Sequence, residues 1–259
     1  MDWLLEFTRH HFLIFILVLA RVSGLLLAGP PLGGAEIPKQ ARALLAVVLA
    51  ALIAPAQSGV ALEAPASWAG HLLMIGGELL IGNTLGFGVT ILFSGAQLAG
   101  QIVGQMSGMT LADVYHPGID AEIPIFSQLF YLVALAVYLV VGGHRLLMSG
   151  LLGIFAAIPP GGAGLDVSPA DMLVSLIGES FSLAIRVAAP ATAALLLASL
   201  VLASISRTLP QLNVMALGFG LNALTTFGVL SLSLGSMAWV FQDEIEPAWQ
   251  AIVAGLVNG

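Results

Sequence analysis

Apolar residues along this chain run on for twenty or more positions between charges. Uncharged stretches cover 43–62, 79–112, 123–144, 146–165, 187–206 and 208–242. Each reaches the roughly 18–20 residues that a helix needs to cross a bilayer. None alternates apolar with polar positions in segments of about ten, as the strands of a membrane β-barrel do. The pattern predicts an all-α integral membrane protein with about six hydrophobic segments.

Proline, glycine and charge punctuate it. A first helix is expected over about 3–28, stopped by Pro30 and Pro31. Its front end is acidic as well as basic and no A-x-A site follows cleanly, so it reads as a retained helix rather than a cleaved leader. A second helix is expected over about 39–54, ending at Pro55. A third begins near Ser67 and continues to about Ala112. That is too long for one straight crossing at 1.5 Å per residue, so it must bend, turn near Ser94–Gly95 or extend beyond the membrane. "DVYHPGIDAEIP" follows as a polar, poorly helical segment. The run 124–157 is split by "GGHR" at 142–145, and a helix over about 169–207 carries Pro190. "RTLPQLN" then breaks the pattern before a last run over about 211–241 and a short acidic, apolar tail. No repeat and no linker divides the chain, which reads as one domain over 1–259.

Composition sharpens the class. Of 259 residues 59% are hydrophobic and 8% charged, against about a quarter charged in soluble proteins. The net charge of −7 argues against nucleic acid, or an anionic lipid surface, as a partner for a basic face. Seven Lys and Arg leave the positive-inside rule little to count, so orientation stays open. Without cysteine there is no disulfide and no thiolate metal site. No H-E-x-x-H and no G-x-x-x-x-G-K-[ST] occurs. "GESF" at 178–181 could serve an intramembrane serine protease only if His71 or His144 reached Ser180, and that reading is set aside. No cofactor is expected.

One stretch, "GAQLAGQIVGQMSGM", is unusually regular. Ala96, Gly100, Gly104 and Gly108 recur every four residues, with Gly82 and Gly86 upstream. Such a row makes a shallow groove where a second helix backbone can approach. Gln97, Gln101 and Gln105 recur beside it. Carboxamides left against lipid without partners are costly, so they face protein or water. Two readings stay open: hydrogen-bonding contacts between helices, or the wall of a wet conduit. Arg21, Glu78, Glu179 and Arg186 fall inside apolar runs, where charges are paired or solvated. Structural pairing is the expectation. A secondary transporter built on Glu78, Glu179 and Arg186 is the rival from another class, and the absence of duplicated halves counts against it.

Four segments in order carry a family resemblance: "LARVSGLLLAGPPLGGAEIPKQARALLAVVLAALIAP", "GNTLGFGVTILFSGAQLAGQIVGQMSGM", "VVGGHRLLMSGLLGIFAAIPPG" and "APATAALLLASLVLASISRTLPQLNVMALGFGLNAL". The most specific piece is R-x-x-P-Q-x-N, Arg207, Pro210, Gln211 and Asn213. Together they resemble the FliR family of type III secretion export gates, over nearly the whole chain. "YHPG", Gly153 and "GFGLNAL" depart from the family's pattern. The resemblance implies bent helical hairpins assembling into a helical export-gate complex. It implies a non-catalytic subunit of the flagellar gate in the bacterial inner membrane and basal body, with a virulence-system subunit as the alternative. The implied partners are several copies each of FliP and FliQ, with FlhB and FlhA, and unfolded export substrates. The glutamine stripe would then lie near the conduit, and the groove would pack against neighbouring subunits. Residues 106–122 would form a loop that closes the gate, including Met106, Gly108, Met109, Asp113, Tyr115, His116, Pro117 and Gly118.

Overall fold

The computed structural model describes residues 2–30, 33, 37–60, 62, 65, 67–108, 124–162, 170–208 and 214–258. Among these there are seven α-helices: α1 Asp2–Ala28, α2 Lys39–Ile53, α3 Trp68–Ser107, α4 Ile125–Val141, α5 Gly143–Ala157, α6 Ala170–Thr208 and α7 Val214–Asn258. A 3₁₀ turn, Ala54–Gln57, extends α2. Each uncharged stretch of the sequence falls on its own helix, α2 to α7. Four helices are long and apolar enough to cross a membrane, and the broken pair α4 and α5 makes up to five. The chain is an all-α membrane protein.

The break expected at 142–145 is as read, and a proline starts α2 near the expected position 39. Pro38 precedes α2 in an extended conformation. Gly142 separates α4 from α5 at φ 84°, a left-handed turn that a side chain would strain. One helix is unbroken where a turn was one of the options, and another runs further than expected. α3 is continuous across Ser94–Gly95, with no turn there. α7 passes through Pro247 to Asn258 instead of ending near 241 in an irregular tail. The reason is tertiary packing: Ala248, Ile252 and Leu256, one helical face of that tail, are buried.

The helices divide between two compact units. Unit 1 comprises Met1–Ile91, His144–Leu176 and Pro247–Gly259. Its core includes Leu17, Val18, Val22 and Leu25 of α1 with Ile81, Leu85 and Val89 of α3 and Leu151, Ile154 and Phe155 of α5. α2 buries Ala46, Ala50 and Ile53 and leaves Leu44, Val47, Val48 and Leu52 exposed. In this unit α1 and α3 touch backbone to backbone. A methyl group on Gly24 would meet the Leu79 carbonyl oxygen at 2.5 Å, one on Gly82 would collide with the Arg21 carbonyl, and one on Gly86 would meet the Gly29 nitrogen at 2.7 Å. Gly82 and Gly86 thus form the small-residue groove the spacing indicated, and its occupant is α1. Thr90 extends the seam, its hydroxyl donating to the Ala28 carbonyl.

Unit 2 comprises Leu92–Gly143 and Ile177–Glu246. Phe93 centres it, with ring centroids 5.7 Å from Tyr131, 5.4 Å from Tyr138 and 5.3 Å from Phe241. The two T-shaped contacts, to Tyr138 and Phe241, suit the aromatic quadrupole. α4 presents Phe126, Phe130, Ala134 and Tyr138 to this core at four-residue spacing.

The α1–α3 seam gives a sharp test. Gly82→Ala should cost about 1–3 kcal/mol, since its methyl meets backbone that cannot swing aside. Gly76→Ala, where nothing lies within 4 Å, should be neutral or slightly stabilising through helix propensity. Thermal unfolding of the detergent-purified protein checks this, and equal melting temperatures for the two variants would contradict the seam.

Candidate functional site

Two places concentrate polar chemistry, one in each unit. In unit 1, Arg21 and Glu78 are both 0% exposed and pair at 2.6 Å between Nε and Oε2. The arginine also donates from Nη1 to the Ile158 carbonyl at 2.9 Å, and its guanidinium lies 4.2 Å from the centre of the Phe155 ring. The second carboxylate oxygen of Glu78 accepts the Gly161 N–H at 2.8 Å. Gly161 supplies that N–H at φ 83°, a conformation open to glycine at little cost. Charges inside apolar runs were expected to be paired or solvated, and these two are paired with each other, a partnership the spacing did not indicate. They tie α1, α3 and the turn after α5 together. Glu78, Gly82 and Gly86 share one helical face, so the glycines bring α1 close enough for the charges to touch.

In unit 2, the small-residue row of α3 faces inward and the glutamine row faces away. Ala96, Gly100 and Gly104 are buried, Gln97 and Gln101 half-buried, and Gln105 exposed. The start of α4 fills the groove at Gly100, where an added methyl would meet the Phe126 carbonyl oxygen at 2.5 Å. The Ser127 hydroxyl donates to the Gln97 backbone carbonyl at 3.0 Å. α6 lies against Gly95, and the Ser94 and Ser180 hydroxyls are 3.3 Å apart. Among the described residues no hydrogen bond satisfies the carboxamide of Gln97, Gln101 or Gln105.

α3 ends where the stripe ends. Met106 is 42% exposed, and Gly108 turns the chain at φ 72°. Met109, Asp113, Tyr115, His116, Pro117 and Gly118 lie outside the described residues. The chain resumes at Pro124, whose extended backbone begins α4. Both ends of the intervening segment are thus firm stops that cannot propagate a helix.

The remaining charges pair differently from their spacing. Glu179 and Arg186 share a face of α6, yet Arg186 forms its ion pair with Glu244 of α7, at 2.5 Å, and bonds the Ser182 hydroxyl. Oε2 of Glu179 is buried without a hydrogen-bond partner among the described residues. Ser180, the residue a protease would need, has the Ser94 hydroxyl as its neighbour. Arg207 is exposed in the last turn of α6, where a cation favours the helix dipole. Pro210, Gln211 and Asn213 lie outside the described residues. Sequence reasoning missed Phe155, the Ile158 carbonyl and Gly161 as partners of the buried pair. A glycine following the Pro-Pro of "IPPGG" was the available signal, for it marks a turn but does not say what the turn touches.

Removing one partner of the buried pair should cost about 3–5 kcal/mol, because the other charge is stranded. Arg21→Met and Glu78→Leu should each melt well below the parent, and the double variant should recover much of the loss. Additive losses in that cycle would show that the two side chains do not interact.

Residues 12–248 match the family model described as bacterial export proteins, family 1. The chain is 30% identical over 203 residues to the flagellar biosynthetic protein FliR of Escherichia coli, covering 78% of this chain and 77% of that one. It is 29% identical over 223 residues to the flagellar biosynthetic protein FliR of Bacillus subtilis, covering 83% and 84%. It is also 26% identical over 168 residues to the secretion system apparatus protein SsaT of Salmonella typhimurium, covering 64% of each.

Proposed function

Since the chain belongs to the bacterial export proteins of family 1, we propose that it is a non-catalytic subunit of the flagellar type III protein export gate. The family match across 12–248 carries this reading. The flagellar relatives are matched over 78% and 83% of the chain and the virulence-type relative over 64%, which favours the flagellar system. The subunit would reside in the bacterial inner membrane at the basal body. Its partners would be several copies each of FliP and FliQ, with FlhB and FlhA, and unfolded export substrates would pass beside it.

Physical features support a life inside an assembly. Little of the most apolar stretch of the candidate span Met172–Thr208 is buried within the chain. Exposed apolar side chains run along α6 from Ile177 to Ile205, about 42 Å at the helical rise. A bilayer core of roughly 30 Å cannot cover that length of upright helix, so other protein must cover part of it. The unsatisfied glutamine row supports a position beside a wet conduit or a partner's polar groups. Met106 and Gly108 open a segment suited to closing that conduit, since methionine seals irregular gaps and glycine lets the backbone turn.

If residues 106–122 close the gate, a chain shortened there should make the membrane permeable to small ions while still assembling. Ion flux across vesicles carrying the complex measures this. Unchanged permeability in an assembled variant would remove the closing role. Gln101→Leu, with one carboxamide replaced by a hydrocarbon, should leave assembly intact and slow export of flagellar substrates into the medium; normal export would detach the stripe from the conduit.

A further inference from the structure

We propose that α3 floors an open groove in unit 2 that binds export substrates by their extended backbone, whatever their side chains. The ligand class rests on the chain's place in an export gate. Three sides of α3 are covered within unit 2. α4 meets it at Gly100, where an added methyl would lie 2.7 Å from the Ser127 Cα, and α6 at Gly95, where one would lie 2.6 Å from the Ser180 carbonyl oxygen. α7 reaches it through Phe241 against Phe93. On the fourth side Ser94, Gln97, Gln101 and Gln105 recur three or four residues apart, one face of the helix. The Ser180 hydroxyl, 3.3 Å away, holds Ser94 at the α6 edge. α4 adds a residue at the opposite edge. It runs antiparallel to α3, since Ser127 bonds the Gln97 carbonyl while Tyr138, further along α4, meets Phe93. With Ser127 turned onto α3, Gln128 stands about 100° further round, on the flank that carries Gln97 and Gln101. It is half-buried, and among the described residues no hydrogen bond engages its carboxamide.

A carboxamide carries both a donor and an acceptor, and no charge. An extended peptide offers the same two groups at every residue. Those on one edge recur about every 6.6 Å, two residues at roughly 3.3 Å each. Glutamines four apart on a helix recur about every 6.0 Å. From Gln97 to Gln105 the two repeats drift apart by only about 1.2 Å, less than the swing of so long a side chain. The row also winds by about 40° per step. A strand would therefore cross α3 obliquely, from the α4 edge at Gln97 and Gln128 towards the α6 edge at Gln105. The floor is neutral, because no charge stands between Glu78 and Asp113. Acidic and basic substrates are thus neither held nor repelled by it. A helix from another subunit has its own N–H and C=O groups bonded internally and would meet the row with side chains alone, leaving the match of repeats without a use.

The test uses the assembled membrane complex holding an export substrate arrested by a folded fusion. Photo-crosslinking residues at Gln101 and at Gln128 should capture that substrate, and should still capture it when the arrested stretch is exchanged for an unrelated sequence. The purified complex should bind an unfolded peptide and its scrambled version equally well. N-methylation of two alternate backbone amides in the peptide should weaken binding about 25-fold, roughly fivefold for each hydrogen bond lost. Gln101→Leu and Gln128→Leu should each weaken binding of the unmodified peptide about fivefold. Equal binding of the methylated and unmethylated peptides overturns the proposal, and that comparison needs no variant to assemble. So does capture of a neighbouring subunit, and never the substrate, from Gln101 and Gln128. Either result leaves export through the gate standing. Unchanged flagellar export in cells lacking the chain would remove the export function itself, and the groove with it.

Discussion

An arginine and a glutamate that meet away from water impose conditions on everything around them. Arg21 and Glu78 are wholly buried, so each must be paired and hydrogen-bonded or the segment that carries it would not settle in an apolar environment. Contact at 2.6 Å requires α1 and α3 to approach more closely than ordinary side chains permit. Gly24, Gly82 and Gly86 make that approach possible, with carbonyl oxygens standing where methyl groups would be. The spare capacity of the pair then recruits the turn after α5 through the Ile158 carbonyl and the Gly161 N–H. Charge, glycine groove and turn are one device. Any single part would be a liability in a membrane helix without the other two.

The second unit solves a different problem. Its core is aromatic around Phe93, whereas α3 also carries three carboxamides that find no hydrogen bond among the described residues. A long apolar helix cannot leave such groups against lipid at small cost. The same is true of α6, whose exposed hydrocarbon exceeds the thickness of a bilayer core. Both features describe a chain whose surface is completed by other chains and by water. Membership of an export family gives that incompleteness a purpose: a subunit that borders a path for protein has to keep one face dry, one face wet and others occupied by neighbours.

Much of this was legible in the order of residues. Uncharged runs located the helices, Pro38 and Gly142 marked their limits, and four-residue spacing identified the glycine groove at 82 and 86. The rest failed for physical reasons. The last run was expected to cover about 211–241, but burial of Ala248, Ile252 and Leu256 carries α7 on through Pro247. Ser94 and Gly95 read as a possible turn, but α6 packs against Gly95, and the small residue serves close contact rather than a bend. Periodicity tells which residues share a face and is silent on what that face meets. Arg186 and Glu179 share a face of one helix but stand seven residues apart, and the partner of Arg186 is Glu244 on another. The same silence hid α1 as the occupant of one groove and α4 as the occupant of the next.

The account stands on this chain being one member of a membrane export assembly. Native mass spectrometry of the tagged chain, co-expressed with neighbouring membrane open reading frames and gently extracted, addresses that directly. The expected species holds one copy of this chain with several copies of two smaller helical proteins. A monodisperse monomer or homodimer that retains no other protein would contradict it, and would return Glu78 and Glu179 to consideration as the site of a stand-alone transporter.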